Sequence, residues 1–301
     1  MNNRKAMVLG SFIADALALG VHWVYNTHVI DKKFGIVDQY IDPLTSYHTG
    51  KQKGDFTHYG DQMLVLLESI KARGGFDLDH FAETWRTFFD SYGGYFDQAT
   101  KATLQNIADG KGPKDCGSTS DELGGASRIP PLAYVYHDDP NQLIKAARLQ
   151  TAFSHNTETV IDAAAFFSKA VLSVLGGSAP SAAIEDLLKT DFSGHPIEEL
   201  VSLGIDSKDG DTRQVIADFG QMCEIDAALP ATIHLIVKYE SDYKQGMIEN
   251  VMAGGDSAGR GMLAGMMLAA HGGMEAIPDA WLQGLTNRDR ILAALESLEN
   301  K

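Results

Sequence analysis

Three carboxylates stand among residue types that make them chemically informative. Asp15 falls on the same helical stripe as Val8, Phe12 and Leu19 in an otherwise apolar run, because successive side chains rotate by about 100°. A carboxylate on such a stripe must be compensated. It is either an acid of a ligand site or a helix-pairing group satisfied by a neighbouring amide or hydroxyl. Gly254-Gly255-Asp256-Ser257 places a second carboxylate at the start of a small-residue helix spanning Gly261 to His271, behind glycines that let backbone approach a ligand. Asp61, after Gly60, repeats that arrangement. Helix N-capping is the plain use of both. If the two helix starts converge on one cavity, their exposed amides favour an anionic ligand. His155, in Ser154-His155-Asn156-Thr157, precedes a helix capped by Asn156 or Thr157 and reads first as a structural hydrogen-bonding group. The chain has no G-x-S-x-G elbow, P-loop, H-E-x-x-H pair or dinucleotide glycine fingerprint, which sets those enzyme classes aside.

The elements that must position these groups are helices. Apolar residues recur at helical spacing and no alternating strand pattern of comparable length occurs, so the expected class is all-α. Lys5 to Val21 reads as a buried helix. Asp61 precedes a helix over Gln62 to Arg73, stopped by Gly74 and Gly75, and Asp79 opens the next, with Phe81, Trp85, Phe88 and Phe89 as core. Further helices are expected at Asn141 to Thr151, Glu158 to Leu175, Thr212 to Tyr239, Ser241 to Met252 and Ser257 to His271. Tyr25 to Phe56, with its basic stretch His48 to Lys53, reads as an irregular, solvated loop, the alternative being an anion-binding role. Gly110 to Gly125 reads as a surface loop with the composition of a lid, and Ser193 to Asp211 as a long connection. A peripheral helical subdomain is the alternative around Ala179 to Asp211.

Composition narrows the partners. The 301 residues, 44% hydrophobic, are enough for one compact domain over residues 1–301. Lys and Arg number 25 against 40 Asp and Glu, a formal charge of -15 that repels nucleic acid and anionic membrane surfaces. A small anionic ligand stays compatible with that charge if a local pocket overrides the mean field. Cys116 and Cys223 lack the spacing of a zinc site or redox pair, which fits a reduced, cytoplasmic setting. No apolar stretch reaches the roughly 20 residues of a membrane-spanning helix. Arg4 and Lys5 before an apolar run resemble a signal peptide only until Asp15 interrupts it.

A longer series of motifs is more specific. Ile225-Asp-Ala-Ala-Leu-Pro230, Asn250-Val-Met-Ala-Gly-Gly-Asp256-Ser257, Gly261 through Gly273 and Ile277-Pro-Asp-Ala-Trp281 follow in order. Earlier blocks are Ala14-Asp15-Ala16-Leu17, Gly125-Ala126-Ser127-Arg128-Ile-Pro-Pro-Leu132 and Ser154-His155. Together they resemble the ADP-ribosylglycohydrolase superfamily over nearly the whole chain. The resemblance implies an orthogonal multi-helix bundle around a central cleft, with Mg²⁺ or Mn²⁺ ions used to hydrolyse an ADP-ribosyl bond. The partner so implied is a small anionic nucleotide-like ligand or an ADP-ribosylated substrate.

Departures from the family pattern fall on its metal motifs. His58-Tyr59-Gly60-Asp61 stands where the family has Thr-Asp-Asp-Thr, and Ala258 and Gly259 follow Asp256 where it has further ligands. The glutamate expected after the first helix is replaced near His22. Asp61 and Asp256 are the remaining candidate metal ligands, and two carboxylates hold a hard divalent ion weakly. Arg260, four residues after Asp256, is placed to supply positive charge instead; the alternative is an ordinary surface pair. The altered pattern resembles the branch that includes J-class lens crystallins. The leading expectation is a hydrolase of ADP-ribosyl or related glycosidic nucleotide conjugates, with Asp15, Asp61, Asp256 and His22 as catalytic candidates. His58, Tyr59, Ser127, His155, Gly254, Gly255, Ser257 and Arg260 are the binding candidates, and His58 and His155 are also acid–base candidates. A silent nucleotide-binding module and a crystallin-like structural protein are the rivals.

Overall fold

Capping chemistry sets most helix boundaries in the computed structural model, which describes residues 2–299. In chain order the helices are α1 (Asn2–Ala18), α2 (Thr27–Phe34), α3 (His58–Arg73), α4 (Leu78–Phe89), α5 (Gln98–Ala108) and α6 (Pro130–Val135). Then come α7 (Pro140–Ala152), α8 (Glu158–Leu175), α9 (Pro180–Lys189), α10 (Glu198–Asp206), α11 (Thr212–Phe219) and α12 (Ile225–Lys238). The last four are α13 (Tyr243–Met252), α14 (Ser257–Gly272), α15 (Asp279–Gly284) and α16 (Arg288–Glu299). Asn26, Thr57, Asp77, Asp97, Asp139, Asp211, Asp242 and Asp256 each accept an amide of the helix they precede. Such a cap stabilises by about 1 kcal/mol. There is no sheet among the described residues; the extended pairings are the isolated bridges Ser118 to His155 and Glu122 to Glu224. The all-α expectation holds.

Two helices form the centre. α1 and α14 pack along each other, and their approach is close because Gly265 lies against Gly10: a Cβ there would stand 2.7 Å from the Gly10 carbonyl oxygen. Tyr243 of α13 donates its hydroxyl to the same Gly10 oxygen at 2.7 Å. α12, α13 and α8 pack on α14, whereas α3 and α6 pack on α1 and α16 closes over α3. The apolar core runs through nearly all of these helices, from Ala6 to Leu295. No helix among the described residues is long and apolar enough to cross a membrane.

Several boundaries differ from those expected. The segment Tyr25 to Phe56 contains α2 and a 3₁₀ turn at Ser46–His48. α3 starts at His58 under a Thr57 cap, so Asp61 sits in its first turn and is not its cap. Asp77, not Asp79, caps α4. The long helix expected from Thr212 is two, broken at Gly220, whose φ of 117° an L side chain resists. Ser193 to Asp211 includes α10, which packs on α12. The Gly110 to Gly125 segment is tied down at its far end. Ser118 donates to the Ser154 carbonyl and receives the Asn156 amide, and Leu123–Arg128 forms a buried 3₁₀ turn.

Candidate active site

Among the described residues, the two non-glycine residues with left-handed backbone, Trp23 (φ 62°) and Gln221 (φ 57°), both abut the turn before α14. Trp23 donates its amide to the Gly255 carbonyl at 2.9 Å, and Gly255 returns its own to Val24 at 3.0 Å. Asp256 donates its amide to Gln221 at 2.9 Å. Gly254 and Gly255 are themselves left-handed and pressed against the Val24 and Gln221 carbonyls, where a Cβ would clash. Their absent side chains therefore admit protein backbone. Left-handed residues cost energy and persist where the surroundings over-determine them. Here the strained turn fixes the Asp256 carboxylate and the indole of Trp23 relative to one another.

Asp256 begins a buried line of polar groups. His22 Nε2 lies 2.8 Å from Asp256 Oδ1, and His22 Nδ1 lies 2.8 Å from His48 Nε2. All three residues are buried. Burial acts to raise the Asp256 pKa, but the His22 hydrogen bond, the charge of Arg260 and the Gly259 amide hold it below its ordinary value. Burial lowers His22 against the pull of Asp256, and lowers His48 to about 2. A carboxylate can only accept, so His22 donates Nε2–H to Asp256 and accepts His48 Nε2–H at Nδ1. Beside this line, His58 stacks at 4.0 Å from the Tyr59 ring and pairs with Asp97 through Nε2 at 3.1 Å. Burial works to raise Asp97, but His58 and the Thr100 amide hold it well below the carboxylate range.

A cavity of about 210 Å³ opens over these groups, lined by Trp23, Tyr25, Tyr47, Tyr95, Asp97, Gln98, Glu122 and Cys223. Trp23 carries the contact inward, its ring 4.2 Å from His22 and 5.4 Å from His58. Several buried polar atoms near it have no hydrogen-bond partner: Asp256 Oδ2, Tyr59 OH, His155 Nε2 and Glu122 Oε2. Burial raises the Tyr25 hydroxyl to about 12, reinforced by Cys223, Asp256 and Glu224. Burial, then Asp256, Glu122 and Glu224, push up the Cys223 thiol. Asp97 and Glu122 are the charged residues of the cavity lining.

The structure gathers Asp256, His22, His58, Tyr59 and His155 around this interior and sets others apart. Asp15 is wholly buried, its carboxyl accepting the Thr57 amide at 2.9 Å and facing the Thr57 hydroxyl at 2.5 Å. It thereby ties α1 to the start of α3, and burial raises its pKa to about 7. Asp61 instead meets Lys51 Nζ at 2.5 Å and the Tyr92 hydroxyl at 2.6 Å. Ser127 donates to Gly124 within the 3₁₀ turn, and the Ser257 hydroxyl has no partner. Arg260 is fully buried, donating to Gly254 at 2.6 Å, so the surface-pair alternative does not apply. His155 is set by Arg128, whose guanidinium also holds Gln62 and Ser154. Sequence reasoning passed over Trp23, Tyr95, Asp97 and Glu122, and it placed His48 in a solvated basic stretch, whereas that side chain is buried against His22. Asp97 alone carried a local signal, as an acid before a helix start.

The family's divalent ions do not suit this donor set. Asp61 already answers an ammonium and a phenol, and among the described residues no three His, Cys, Asp or Glu groups converge to hold a cation. A hard ion wants several oxygens. Nor is the start of α14 open to an anionic ligand, because Asp256 is its own cap and faces the Gly259 amide at 3.3 Å.

An all-helical bundle with carboxylates and imidazoles gathered beneath one cavity is the class these observations define. The chain belongs to the ADP-ribosylglycohydrolase family, whose sequence model matches residues 2–301. It is similar to a protein of Archaeoglobus fulgidus, 26% identical over 284 residues, 94% of this chain and 91% of that one. It is also similar to crystallin J1A of Tripedalia cystophora, 22% identical across 98% of this chain and 95% of that one. Among solved structures, an ADP-ribosylglycohydrolase-related protein complex shares the fold with a TM-score of 0.79 at 23% identity, covering 99% of this chain and 97% of that one.

Proposed function

We propose that the protein hydrolyses an ADP-ribosyl or related glycosidic nucleotide conjugate, at a centre built on Asp256 and without a divalent ion. The observation that carries this reading is the Asp256 carboxylate: buried, held ionised, fixed through one oxygen by His22 and left with the other oxygen unpartnered. Glycosidic hydrolysis needs a base for water and negative charge near the developing oxocarbenium ion. Asp256 Oδ2 is free to take the water proton. The His48–His22 line fixes the carboxylate's orientation, and Arg260 behind it keeps it charged in a dry interior. Asp15, engaged with Thr57, is a positioning residue for α3 in this reading, and Lys51 fills the role of a counter-cation at Asp61.

The test is hydrolysis of ribosyl conjugates followed in EDTA and again in excess Mg²⁺. Equal turnover in both, with a loss of at least about a hundredfold in Asp256→Asn, is the expected result. Undiminished turnover in that variant would overturn the role of Asp256, and turnover only with Mg²⁺ would overturn the ion-free centre. The similarity to crystallin J1A favours a second reading, a structural protein that keeps the fold without turnover. It requires that no ribosyl ligand shift the melting temperature.

A further inference from the structure

We propose that the cavity walled by Trp23, Tyr47, Tyr95 and Glu122 seats a planar organic cation, so that its substrate class is an N-ribosylpyridinium, a sugar joined through C1′ to a positively charged aromatic ring nitrogen. This rests on the glycosidic reading above and narrows it to ribosyl conjugates recognised through a cationic ring and not through a diphosphate.

The walls are the first reason. Trp23, Tyr47 and Tyr95 meet edge to face, with Trp23 centred 5.0 Å from Tyr47 and 4.9 Å from Tyr95, and Tyr25 completes the rim. Aromatic faces attract cations and stack on planar rings. Lys101 already lies 5.9 Å from the Tyr95 ring centre. Charge is the second reason. Asp97 and Glu122 are the charged residues of the lining, and Glu224 and Asp256 lie close enough to raise the lining groups Tyr25 and Cys223. The buried guanidiniums of Arg128 and Arg260 are not part of the lining; they donate to Gln62, Ser154 and Gly254, while Arg128 Nε and Arg260 Nη1 have no partner among the described residues. A diphosphate placed here would meet carboxylates, whereas a cation would meet its complement.

Orphaned buried atoms supply the third reason. His155 accepts at Nδ1 from Arg128, so its hydrogen is on Nε2. That Nε2, in a side chain only 2% exposed, lies 3.8 Å from Glu122 Oε2 on the cavity wall, and neither atom has a hydrogen-bond partner. The Tyr59 hydroxyl, equally buried and unpartnered, feels Asp256, Glu122, Cys223 and Asp97 around it. Such groups are costly unless something polar fills the space between them.

The chemistry agrees with the groups at hand. Water adds to C1′, the bond from C1′ to the ring nitrogen breaks, and its electron pair stays on the nitrogen, which leaves as a neutral pyridine. The water's proton goes to Asp256 Oδ2. No general acid is needed, since the leaving group departs neutral, and Asp15, whose carboxyl burial pushes up to about 7, is tied to Thr57.

Binding is tested by calorimetry on the full chain, with 1-methylnicotinamide as a cation that has no glycosidic bond, neutral nicotinamide, and ADP-ribose. The cation is expected to bind at least tenfold tighter than either of the others, and Glu122→Gln to weaken the cation about fivefold or more while leaving nicotinamide unchanged. Tyr95→Leu, which keeps the carboxylates, gives a second reading of the wall and should also weaken the cation. Equal affinity for cation and neutral ring, or tighter binding of ADP-ribose, overturns the proposal. Nicotinamide riboside separates the two claims: if it binds as the cation does and is not cleaved, the cation site stands and the hydrolytic reading fails.

Discussion

At the scale of single residues, burial divides the acids into two kinds. Asp256 and Asp97 have imidazole partners that keep them charged, whereas Asp15 has only Thr57, and burial raises it to about 7. Asp15 therefore has a predictable pH signature. Between about pH 4 and pH 7 the folded protein retains a proton that the unfolded chain has released, so this residue's contribution to stability falls as pH rises across that window. Asp256 and Asp97, with lowered values, act in the opposite sense and lose their contribution as the medium is acidified. In Asp15→Asn, urea unfolding at a series of pH values should show a slope of stability against pH that is more positive than the parent's between pH 4 and pH 7, because the falling contribution of Asp15 is gone while the rise from the buried His22 and His48 is common to both. The difference should amount to a few kcal/mol at most across that range. An unchanged slope would mean that Asp15 is ionised in the fold. The suspicion attached to Asp15 was legible because an acid on an apolar stripe is visible in one helix. Its partner was not, because Thr57 lies 42 residues away.

Among the elements, the pairing of α1 with α14 carries the site, since Asp256 opens one helix and the other runs through His22 by way of a short turn. Gly265 lies where that pairing is tightest, and a Cβ there would meet the Gly10 carbonyl at 2.7 Å and Ala14 Cβ at 2.9 Å. Gly265→Ala should destabilise by about 1–3 kcal/mol in urea unfolding, the usual cost of overpacking. Gly112→Ala, with open space around it, should change little. Equal effects of the two would show that the helices separate freely. The small-residue pattern Gly261, Ala264, Gly265 made the central place of α14 readable. The starts of α3 and α4 were misread by a few residues because several polar residues near each start can cap, and only the backbone geometry selects Thr57 and Asp77.

For the whole molecule, the formal charge of -15 and the carboxylates of the cavity lining, Asp97 and Glu122, have the same sign. Thermal unfolding offers a check on the ion-free centre. The melting temperature should be the same within about 1 °C in EDTA and in millimolar Mn²⁺, because a ligand bound only by the folded state would raise it. A rise of several degrees would reveal a metal site. Helical periodicity and the order of motifs from Asp15 to Trp281 are properties of neighbouring residues. The sequence by itself therefore determined an all-α protein of this family. His48, Asp97, Glu122 and Trp23 come from connections and helix starts scattered over some 100 residues. Backbone hydrogen bonds tie Trp23 and Gln221 to the Gly254–Asp256 turn and Leu123 to Cys223, and His22 joins His48 to Asp256. That convergence, and with it the sign of the charge around the cavity, was decided by tertiary packing. Long-range contacts of this kind leave no periodic trace along the chain.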